Sequence, residues 1–386
     1  MVGLIDLVQT LTSPHPLDRY LELVRPTLTL RDMRAEITHV RHSASDSVTL
    51  TLRPTWQWTG HRAGQYVQVG VLIDGVKHTR CYSPIDAQGR GNRRLRLTVK
   101  AHSHGLVSQY LYRHATPGMV VDLAPAAGTF ALPDPRPERV LLISGGSGIT
   151  PVLSMLRTLD REKHSGAVVF LHYAKAPEAV PHRAELEDIA ARHDNFRIEL
   201  RYPSCGVGER LGDPGAPAAP ADAAAAPDGM PWSCAADARP VGYFDYDTVE
   251  QLAPWFATGE TFVCGPPALM DSVRRVYQAE GLEDRLHTEE FVLSTTPVDP
   301  ADVTGTTTFS ASGVQQANAG ASLLEQAESA GLTPDYGCRM GICFSCTAVK
   351  RSGCTRDLRT GELDRDPDQP IQLCVSAAVG DVDIEI

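Results

Sequence analysis

The cysteines near the C-terminus have a spacing that suits metal chemistry. Cys338, Cys343 and Cys346 follow the pattern C-x4-C-x2-C, and Cys374 follows after 27 further residues. A [2Fe–2S] cluster needs four thiolates, three of which can come from one loop folded around it. Gly341 lets such a loop turn tightly. A zinc site usually shows paired C-x2-C motifs or histidines, and this tail has no histidine. The spacing therefore predicts a [2Fe–2S] cluster.

The segments around these cysteines are similar to a known family. The runs YGCRMGICFSCTAV and IQLCVSAAVGDVDIEI resemble plant-type ferredoxins, whose cluster loop has the pattern C-R-x-G-x-C-x-x-C. The resemblance implies a β-grasp fold over residues 305–386. It also implies Cys374 as the fourth ligand, because the last ligand of ferredoxin-like sequences begins the final apolar segment. Cys354 is the alternative; it lies in the polar stretch KRSGCTRD and is otherwise expected to be a loop thiol.

A second set of residues has the side chains that a flavin requires. In RCYSP (80–84), Arg80 offers a cation for a phosphate, Tyr82 a ring for the isoalloxazine face, and Ser83 a hydroxyl for the flavin N5. In the following run LTVKAHSHGLVSQYL, GLVS would begin a helix whose free N–H groups can hold a pyrophosphate. The predicted cofactor contacts in that run are Lys100, Gly105, Val107 and Ser108.

These runs, with GQYV (64–67) before them, resemble the ferredoxin–NADP reductase superfamily, in which R-x-Y-S and G-x-x-S bind the flavin. The G-x-x-S run favours FAD over FMN, because FMN has no pyrophosphate for that helix to bind. PAAGTF (125–130) matches the family pattern G-P-x-G-x-F only in part, since Ala124 stands where the first glycine is usual. The alternative for Tyr82 is a core tyrosine on a strand.

A third set of residues suits a dinucleotide. LLISGGSGITPVLSML (141–156) predicts a strand, a glycine-rich turn and a helix with Pro151 in its first turn, where no N–H partner is needed. Glycines let the backbone approach a pyrophosphate, and hydroxyl groups can add hydrogen bonds. The predicted contacts are Gly145, Gly146, Ser147, Gly148 and Thr150.

The motif VCGPP (263–267) ends a later strand, and the same superfamily has G-G-x-G-x-x-P and C-G-P in this order. The resemblance implies that Cys264 lies beside the nicotinamide ring; the alternative is a small buried residue at a strand end. HTEEF (287–291) resembles the family segment after the last strand, where an aromatic ring such as Phe291 can lie near the flavin. The resulting set is Cys264, Gly265, Pro266 and Phe291, with Ser83 and Cys264 as the predicted catalytic residues.

The segment HYAKAPEAVPHRAEL is expected to set the choice between NADPH and NADH. An NADH enzyme commonly has an acidic residue directly after this strand. Here Lys175 takes that place and Arg183 follows, and a cation can pair with a 2′-phosphate. Glu178 sits further into the loop, and a solvated surface side chain is the alternative for Lys175. We predict a preference for NADPH, with NADH as the alternative.

The chain shows a pattern for each scaffold that these residues need. Short β-rich runs predict an antiparallel flavin barrel, alternating strands and helices predict a parallel α/β sheet for the nicotinamide, and the tail predicts a β-grasp domain. A Pro/Ala/Gly-rich stretch is expected to be a flexible insert. The expected organisation is a helical leader (1–32), an FAD-binding β-barrel (33–133), an NAD(P)-binding α/β domain (134–293) with the insert near 205–238, a linker (294–304) and a ferredoxin domain (305–386).

The charge of the chain narrows the classes of partner. The formal net charge is −11, and residues 301–386 carry six Lys/Arg and twelve Asp/Glu. This excess argues against nucleic acid, which needs clustered cations, and suits a basic protein partner. We see no secretory signal and no uncharged run long enough for a membrane helix, so the composition predicts a cytoplasmic protein without a transmembrane segment. The acidic residues crowded before Cys374 are Asp357, Glu362, Asp364, Asp366 and Asp368.

The three sites together predict an enzyme that moves electrons. A hydride carries two electrons and a [2Fe–2S] cluster accepts one, so FAD would mediate between NADPH and the cluster, and the cluster would serve a protein acceptor. The order of leader, reductase and ferredoxin resembles bacterial reductases of fatty-acyl desaturases or related di-iron hydroxylases, which implies peripheral contact with a membrane-bound partner. The alternatives are a ring-hydroxylating dioxygenase or other oxygenase as acceptor, a reductase without a protein acceptor, and a redox-sensing binding protein.

The separate tail generates a first prediction. Cys343→Ser should remove the cluster but leave flavin reduction by NADPH nearly intact, because the tail is expected to be its own domain. Ferricyanide reduction, which needs only the flavin, should survive, and cytochrome c reduction should fall strongly. Equal loss of both activities would show that the tail is not the electron outlet.

Overall fold

The computed structural model describes residues 27–44, 46–89, 94–102, 105–203, 207–212, 243–291, 303–336, 341 and 344–386. Their contacts define two compact units, Met1–Gly75 with Tyr82–Glu290 and Val76–Cys81 with Phe291–Ile386. Most of the predicted leader, insert and linker lies outside the described residues, and so do the predicted ligands Cys338 and Cys343. No helix of the described ranges combines the length and the apolar character needed to cross a membrane.

The first sheet is antiparallel and curled, as the short β-rich runs predict. Its elements are β1 (Arg34–Ala44), β2 (Ser47–Pro54), β3 (Val67–Ile73), β4 (Val76–Tyr82), β5 (Leu95–Lys100), α1 (Leu106–His114) and β6 (Val120–Leu123). The strand order is β4-β3-β6-β1-β2-β5, and a bridge between Pro84 and Leu97 joins the chain after β4 to β5. Alternate apolar side chains, such as Val48, Leu50 and Leu52 of β2, fill the interior.

The second sheet is parallel except for one edge strand. Its elements are β7 (Arg139–Gly145), α2 (Ile149–Glu162), β8 (Ala167–Tyr173), α3 (Arg183–Arg192), β9 (Phe196–Tyr202), β10 (Val207–Leu211), α4 (Tyr246–Leu252), β11 (Glu260–Cys264), α5 (Pro267–Ala279) and β12 (Leu286–Glu289). The order is β10-β9-β8-β7-β11-β12, with β10 antiparallel to β9. The chain therefore runs outward from β7 in one direction and then returns to its other side. Ligands of open α/β sheets bind at such a switch point, outside the carboxyl ends of the strands.

The third sheet has the mixed β-grasp arrangement that the tail predicts. Its elements are β13 (Thr306–Phe309), β14 (Val314–Ala317), α6 (Leu323–Ser329), β15 (Thr347–Asp357), β16 (Leu363–Asp364), β17 (Gln369–Gln372) and β18 (Ser376–Glu385). The order is β14-β13-β18-β15-β16, with β13 parallel to β18 and β17 paired with β15. A capping box between Ser322 and Glu325 begins α6, whose apolar face packs on the sheet.

Three local predictions differ from the observed elements. Val207–Leu211 falls at the start of the predicted flexible insert but forms β10, because its backbone hydrogen-bonds to the free edge of β9. Cys354 was expected in a loop and lies on β15, where it pairs with Val379 of β18. In HTEEF, residues 287–289 belong to the last strand instead of following it, and only the aromatic residue lies beyond it.

Candidate functional site

The flavin motif ends β4, as its sequence predicts. Arg80 and Tyr82 lie at the end of this strand and are half-buried, while Ser83 is only 2% exposed. The Oγ of Ser83 is buried and has no hydrogen-bond partner in the described part of the chain. A buried hydroxyl without a partner is costly, so a ligand atom is expected to complete it. This geometry fits the flavin contact that the resemblance implies for Ser83.

The G-x-x-S motif forms the start of α1. Gly105 is the N-cap, and a Cβ there would lie 2.3 Å from the Ser108 Oγ, so any other residue would require the Ser108 hydroxyl to move. The Ser108 hydroxyl donates to the Gly105 carbonyl (3.1 Å), and the side chain of Val107 packs in the barrel core. The first backbone N–H groups of an α-helix have no acceptor within the helix, so those of α1 are available to bind a phosphate. At the end of β5, Lys100 Nζ lies 3.1 Å from Asp46 Oδ2, so its charge is already shared with a carboxylate.

The glycine turn after β7 packs directly against the end of β11. A Cβ on Gly148 would lie 2.2 Å from the Cys264 carbonyl oxygen, and one on Gly145 would lie 2.7 Å from Pro266 Cδ. Gly146, by contrast, has a φ of +55° and open space beside it. Gly145 and Gly148 therefore let two turns meet, and Gly146 supplies the left-handed backbone.

The remaining residues of these two turns lie beside the contact. Ser147 is half-buried, and the buried Thr150 donates its hydroxyl to the Ser147 carbonyl (3.3 Å). Gly265 lies so close to the backbone of Gly145 that a Cβ would come within 3.1 Å of its nitrogen. The structure thus brings together the predicted residues of the glycine turn and of the C-G-P motif.

The strand register adds three polar residues, Ser144, His172 and Glu289, that the sequence analysis does not predict as site residues. Ser144 of β7 pairs with His172 of β8 on one side and with Cys264 of β11 on the other, and Cys264 pairs with Glu289 of β12. All four side chains are buried, and the Ser144 Oγ lies 2.8 Å from His172 Nδ1. Residues in register point to the same face of a sheet, so they form one row, here called the polar row. Its sequence signal is a polar residue ending an apolar strand.

Burial removes the charge from the polar row. Burial raises the pKa of Glu289 to about 8. Burial also raises the pKa of the Cys264 thiol well above its usual value, and the neighbouring Glu289 and Glu290 add to this. Burial, assisted by Lys100, lowers the pKa of His172 to about 3. Near neutral pH the row is therefore a thiol, a neutral imidazole, a hydroxyl and a largely protonated carboxyl group.

The residues expected to select the nucleotide have different surroundings. Lys175 is exposed directly after β8, as predicted. The guanidinium of Arg183 instead donates to Glu209 (2.6 and 2.7 Å), Glu187 (2.9 Å) and Tyr202 (3.1 Å). Its donors are occupied by protein, so the expectation that Arg183 meets a 2′-phosphate does not fit this geometry. Phe291 is half-buried just beyond β12.

Two of the predicted cluster ligands lie side by side. Cys346 and Cys374 are buried, and the backbone N–H of Cys374 donates to the Cys346 Sγ (3.5 Å). Gly341 has a φ of +72°, and a Cβ there would lie 2.7 Å from both Arg359 and Val375. A thiol that accepts a backbone N–H, beside a second buried thiol, fits the donor set of an iron–sulfur site.

Comparison with known proteins agrees with this geometry. Residues 35–132 match the model of the oxidoreductase FAD-binding domain, and residues 142–208 match the oxidoreductase NAD-binding domain. The whole chain aligns with the NADPH oxidoreductase of Mycobacterium tuberculosis at 36% identity, covering 92% of that protein. The chain belongs to the ferredoxin–NADP reductase-like oxidoreductases.

Further relatives of this reductase are components of oxygenases. The glycine betaine monooxygenase reductase subunit of Pseudomonas aeruginosa is 28% identical over 84% of the chain and 87% of its own length. Phthalate dioxygenase reductase, a solved structure titled as modular for electron transfer from pyridine nucleotides to [2Fe–2S], has the same fold. It aligns with a TM-score of 0.59 over 92% of this chain and 97% of its own, at 24% identity.

The protonated Glu289 generates a second prediction. A carboxyl group whose folded pKa is about 8 and whose usual pKa is 4.5 stabilises the fold fully below pH 4.5, and it loses this contribution as pH rises through 8. Over that range the loss is roughly 4–5 kcal/mol. Glu289→Gln keeps the neutral form at every pH, so its free energy of unfolding should exceed that of the wild type increasingly between pH 5 and pH 8.

Denaturant unfolding at a series of pH values measures this difference. Burial lowers the pKa of His172 and of His182, so these two residues make the fold more stable as pH rises. Because they do so in both proteins, the difference in the free energy of unfolding between wild type and variant isolates the effect of Glu289. Glu290→Gln is the matched control, since Glu290 pairs with Arg274. A Glu289→Gln profile parallel to that of the wild type would contradict the assignment.

Proposed function

We propose that this reductase is the electron-donating component of an oxygenase, which oxidises NADPH and delivers single electrons to a protein acceptor. The observation that carries the proposal is the uncharged polar row at the switch point, with the glycine turn packed against Cys264. Hydride transfer is protected from side reactions where water is excluded, and the burial of these four side chains provides such a place. The dinucleotide motif and the predicted flavin residues from Tyr82 onwards lie on the same unit, which supports this reading.

The residues of the chain have distinct parts in this function. Ser83 would offer its buried hydroxyl to the flavin edge, and the first turn of α1 would hold the flavin pyrophosphate. Gly146 and the start of α2 would hold the nicotinamide dinucleotide, with the Cys264 thiol, kept protonated by burial, beside its ring. When bound, FAD supplies the exchange between one two-electron step and two one-electron steps, and a [2Fe–2S] cluster supplies a one-electron outlet.

The cluster is proposed on the cysteines of the tail. The adjacent buried thiols of Cys346 and Cys374 support Cys374 as the fourth ligand, with Cys338 and Cys343 completing the set. Cys354 lies on β15, and its thiol makes a long contact with the Thr355 carbonyl (3.9 Å). A residue on this strand is less suited to bind a cluster than a residue of the cysteine loop.

The acceptor is proposed as an oxygenase component instead of a desaturase. Reductases of a monooxygenase and of a dioxygenase are among the similar proteins, and this favours the oxygenase alternative. The charge of the tail suits a basic acceptor surface, although three of the crowded acidic residues are paired within the chain. Asp357 pairs with Arg359, Asp364 with Lys350 and Asp368 with Arg351. Glu362 and Asp366 are the exposed acidic residues left to face a partner.

Reconstitution tests the acceptor. The purified holoprotein should support product formation by a terminal oxygenase with NADPH, and the rate should fall as rising salt shortens the Debye length below about 10 Å. Glu362→Gln with Asp366→Asn should raise the KM for the acceptor by about three- to tenfold. The control Glu283→Gln with Asp284→Asn, which removes the same charge from the first unit, should not. Coupling to a di-iron desaturase but to no oxygenase would overturn the proposal in favour of the desaturase.

A further inference from the structure

One face of α2 is hydrogen-bonded to the segment that follows the flavin motif. Four polar side chains, spaced three and four residues apart and therefore on one side of the helix, contact the backbone of residues 85–88. They are Ser154, Arg157, Thr158 and Arg161. The Ser154 hydroxyl donates to the Asp86 carbonyl (2.6 Å), and the Gln88 backbone N–H donates to the Thr158 hydroxyl (2.9 Å). These contacts fix the helix along the segment.

Arg157 joins this segment to a second helix as well. Its side chain is 5% exposed, and its Nη1 donates to the Ile85 carbonyl. Its Nε and Nη2 donate to the two carboxylate oxygens of Glu185, in the first turn of α3, with 2.7 Å between Nε and Oε1. A guanidinium holds its donors in a planar fork, so the bidentate ion pair sets the direction of the third donor. One side chain thus ties together α2, α3 and the segment after the flavin motif.

The carbonyl that Arg157 binds lies two residues after Ser83. On its other side the segment is attached to β5, because the Ile85 N–H donates to the Arg96 carbonyl (3.0 Å) and the preceding residue forms the bridge to β5. The segment is therefore held between β5 and α2, and the Ile85 side chain is fully buried. A displacement of α2 would reach the Ser83 hydroxyl through two peptide units.

The same helix begins at the glycine turn. Ile149 follows Gly148 directly, and Arg157 lies eight residues further on, about 12 Å along the helix axis. The dinucleotide turn and the flavin motif are thus joined through one helix and one buried side chain. All of these residues belong to the first compact unit.

We propose that Arg157 is a positioning residue for hydride transfer, which sets the distance between a flavin bound at Ser83 and a dinucleotide bound at the glycine turn. This inference rests on the proposed oxidation of NADPH. In that step a C–H bond of the nicotinamide breaks and the hydrogen bonds to the flavin with both electrons, so the nicotinamide is oxidised as the flavin is reduced. The reacting atoms must approach to about 3–3.5 Å, and a misplacement of about 1 Å can slow such a step about a hundredfold. Arg157 acts on this distance through the Ile85 backbone.

Anaerobic stopped-flow reduction of the full-length holoprotein by NADPH tests the proposal. Flavin absorbance at a series of NADPH concentrations gives the limiting rate of flavin reduction and, separately, the dissociation constant for NADPH. Arg157→Gln should lower the limiting rate about ten- to hundredfold, because the flavin segment is no longer fixed to α2. The dissociation constant should stay near its wild-type value, since the glycine turn remains packed against Cys264. Arg157→Lys, which keeps a cation but not the fork, should restore part of the rate.

Arg136→Gln is the matched control. Arg136 donates to both carboxylate oxygens of Glu162 (2.9 and 3.0 Å), the last residue of α2, and to the Pro133 carbonyl (2.6 Å). The variant therefore loses the same kinds of contact from the same helix, at the end away from the glycine turn, and its limiting rate should equal that of the wild type. Equal loss of rate in both variants would show that any loosening of α2 slows the reaction, and it would overturn the assignment to Arg157.

Other outcomes also decide the proposal. An unchanged limiting rate in Arg157→Gln would overturn it, and so would a loss of rate in the reoxidation of dithionite-reduced flavin by ferricyanide, which involves no nicotinamide. If Arg157→Gln does not retain its flavin, Glu185→Gln carries the test. That variant removes one arm of the ion pair and should lower the limiting rate by a smaller factor, so a wild-type rate would overturn the proposal.

Failure of this inference can be distinguished from failure of the proposed function. Rapid flavin reduction in the wild type and in Arg157→Gln alike would reject only the positioning role. A wild type whose flavin NADPH does not reduce would reject the proposed function itself.

Discussion

The close approach of Gly148 to the Cys264 carbonyl is the contact on which the site depends. A Cβ at Gly148 would lie 2.2 Å from that oxygen, so any other residue would push the turn after β7 away from the end of β11. Because the turn stays close, α2 begins directly over the switch point of the sheet. The same arrangement brings the G-G-x-G-x-x-P and C-G-P motifs, which lie far apart in the sequence, to one place.

Burial at this place has an electrostatic consequence. The polar row lies at the ends of four neighbouring parallel strands, where Ser144 and His172 hydrogen-bond each other and Glu289 is held protonated. Two of its polar atoms, His172 Nε2 and Glu289 Oε2, have no hydrogen-bond partner in the described part of the chain. Polar groups of this kind, unsatisfied and uncharged, are typical of a surface completed by a ligand. In the proposed function, this burial would keep water from the place of hydride transfer and leave hydrogen-bonding capacity for the dinucleotide and the flavin.

The motifs could be predicted from the sequence because each is local. A glycine turn between a strand and a helix, or three cysteines in one loop, can be recognised within about ten residues of sequence. Ser144, His172 and Glu289 could not be predicted in this way, since their importance comes from the register between strands. The difference between the expectation for Arg183 and the structure has a related cause. Glu209, which occupies its guanidinium, lies on β10, and that strand falls in a segment whose Pro/Ala-rich composition predicts a flexible insert.

An anaerobic titration with NADPH, followed by the visible spectrum, tests the central claim that one chain joins hydride transfer to a one-electron outlet. The holoprotein should consume about 1.5 equivalents of NADPH, because FAD takes two electrons and a [2Fe–2S] cluster takes one. Flavin and cluster absorbance should both fall over that range. A flavin that bleaches with about one equivalent while the cluster stays oxidised would contradict the account, and so would a spectrum that NADPH does not change.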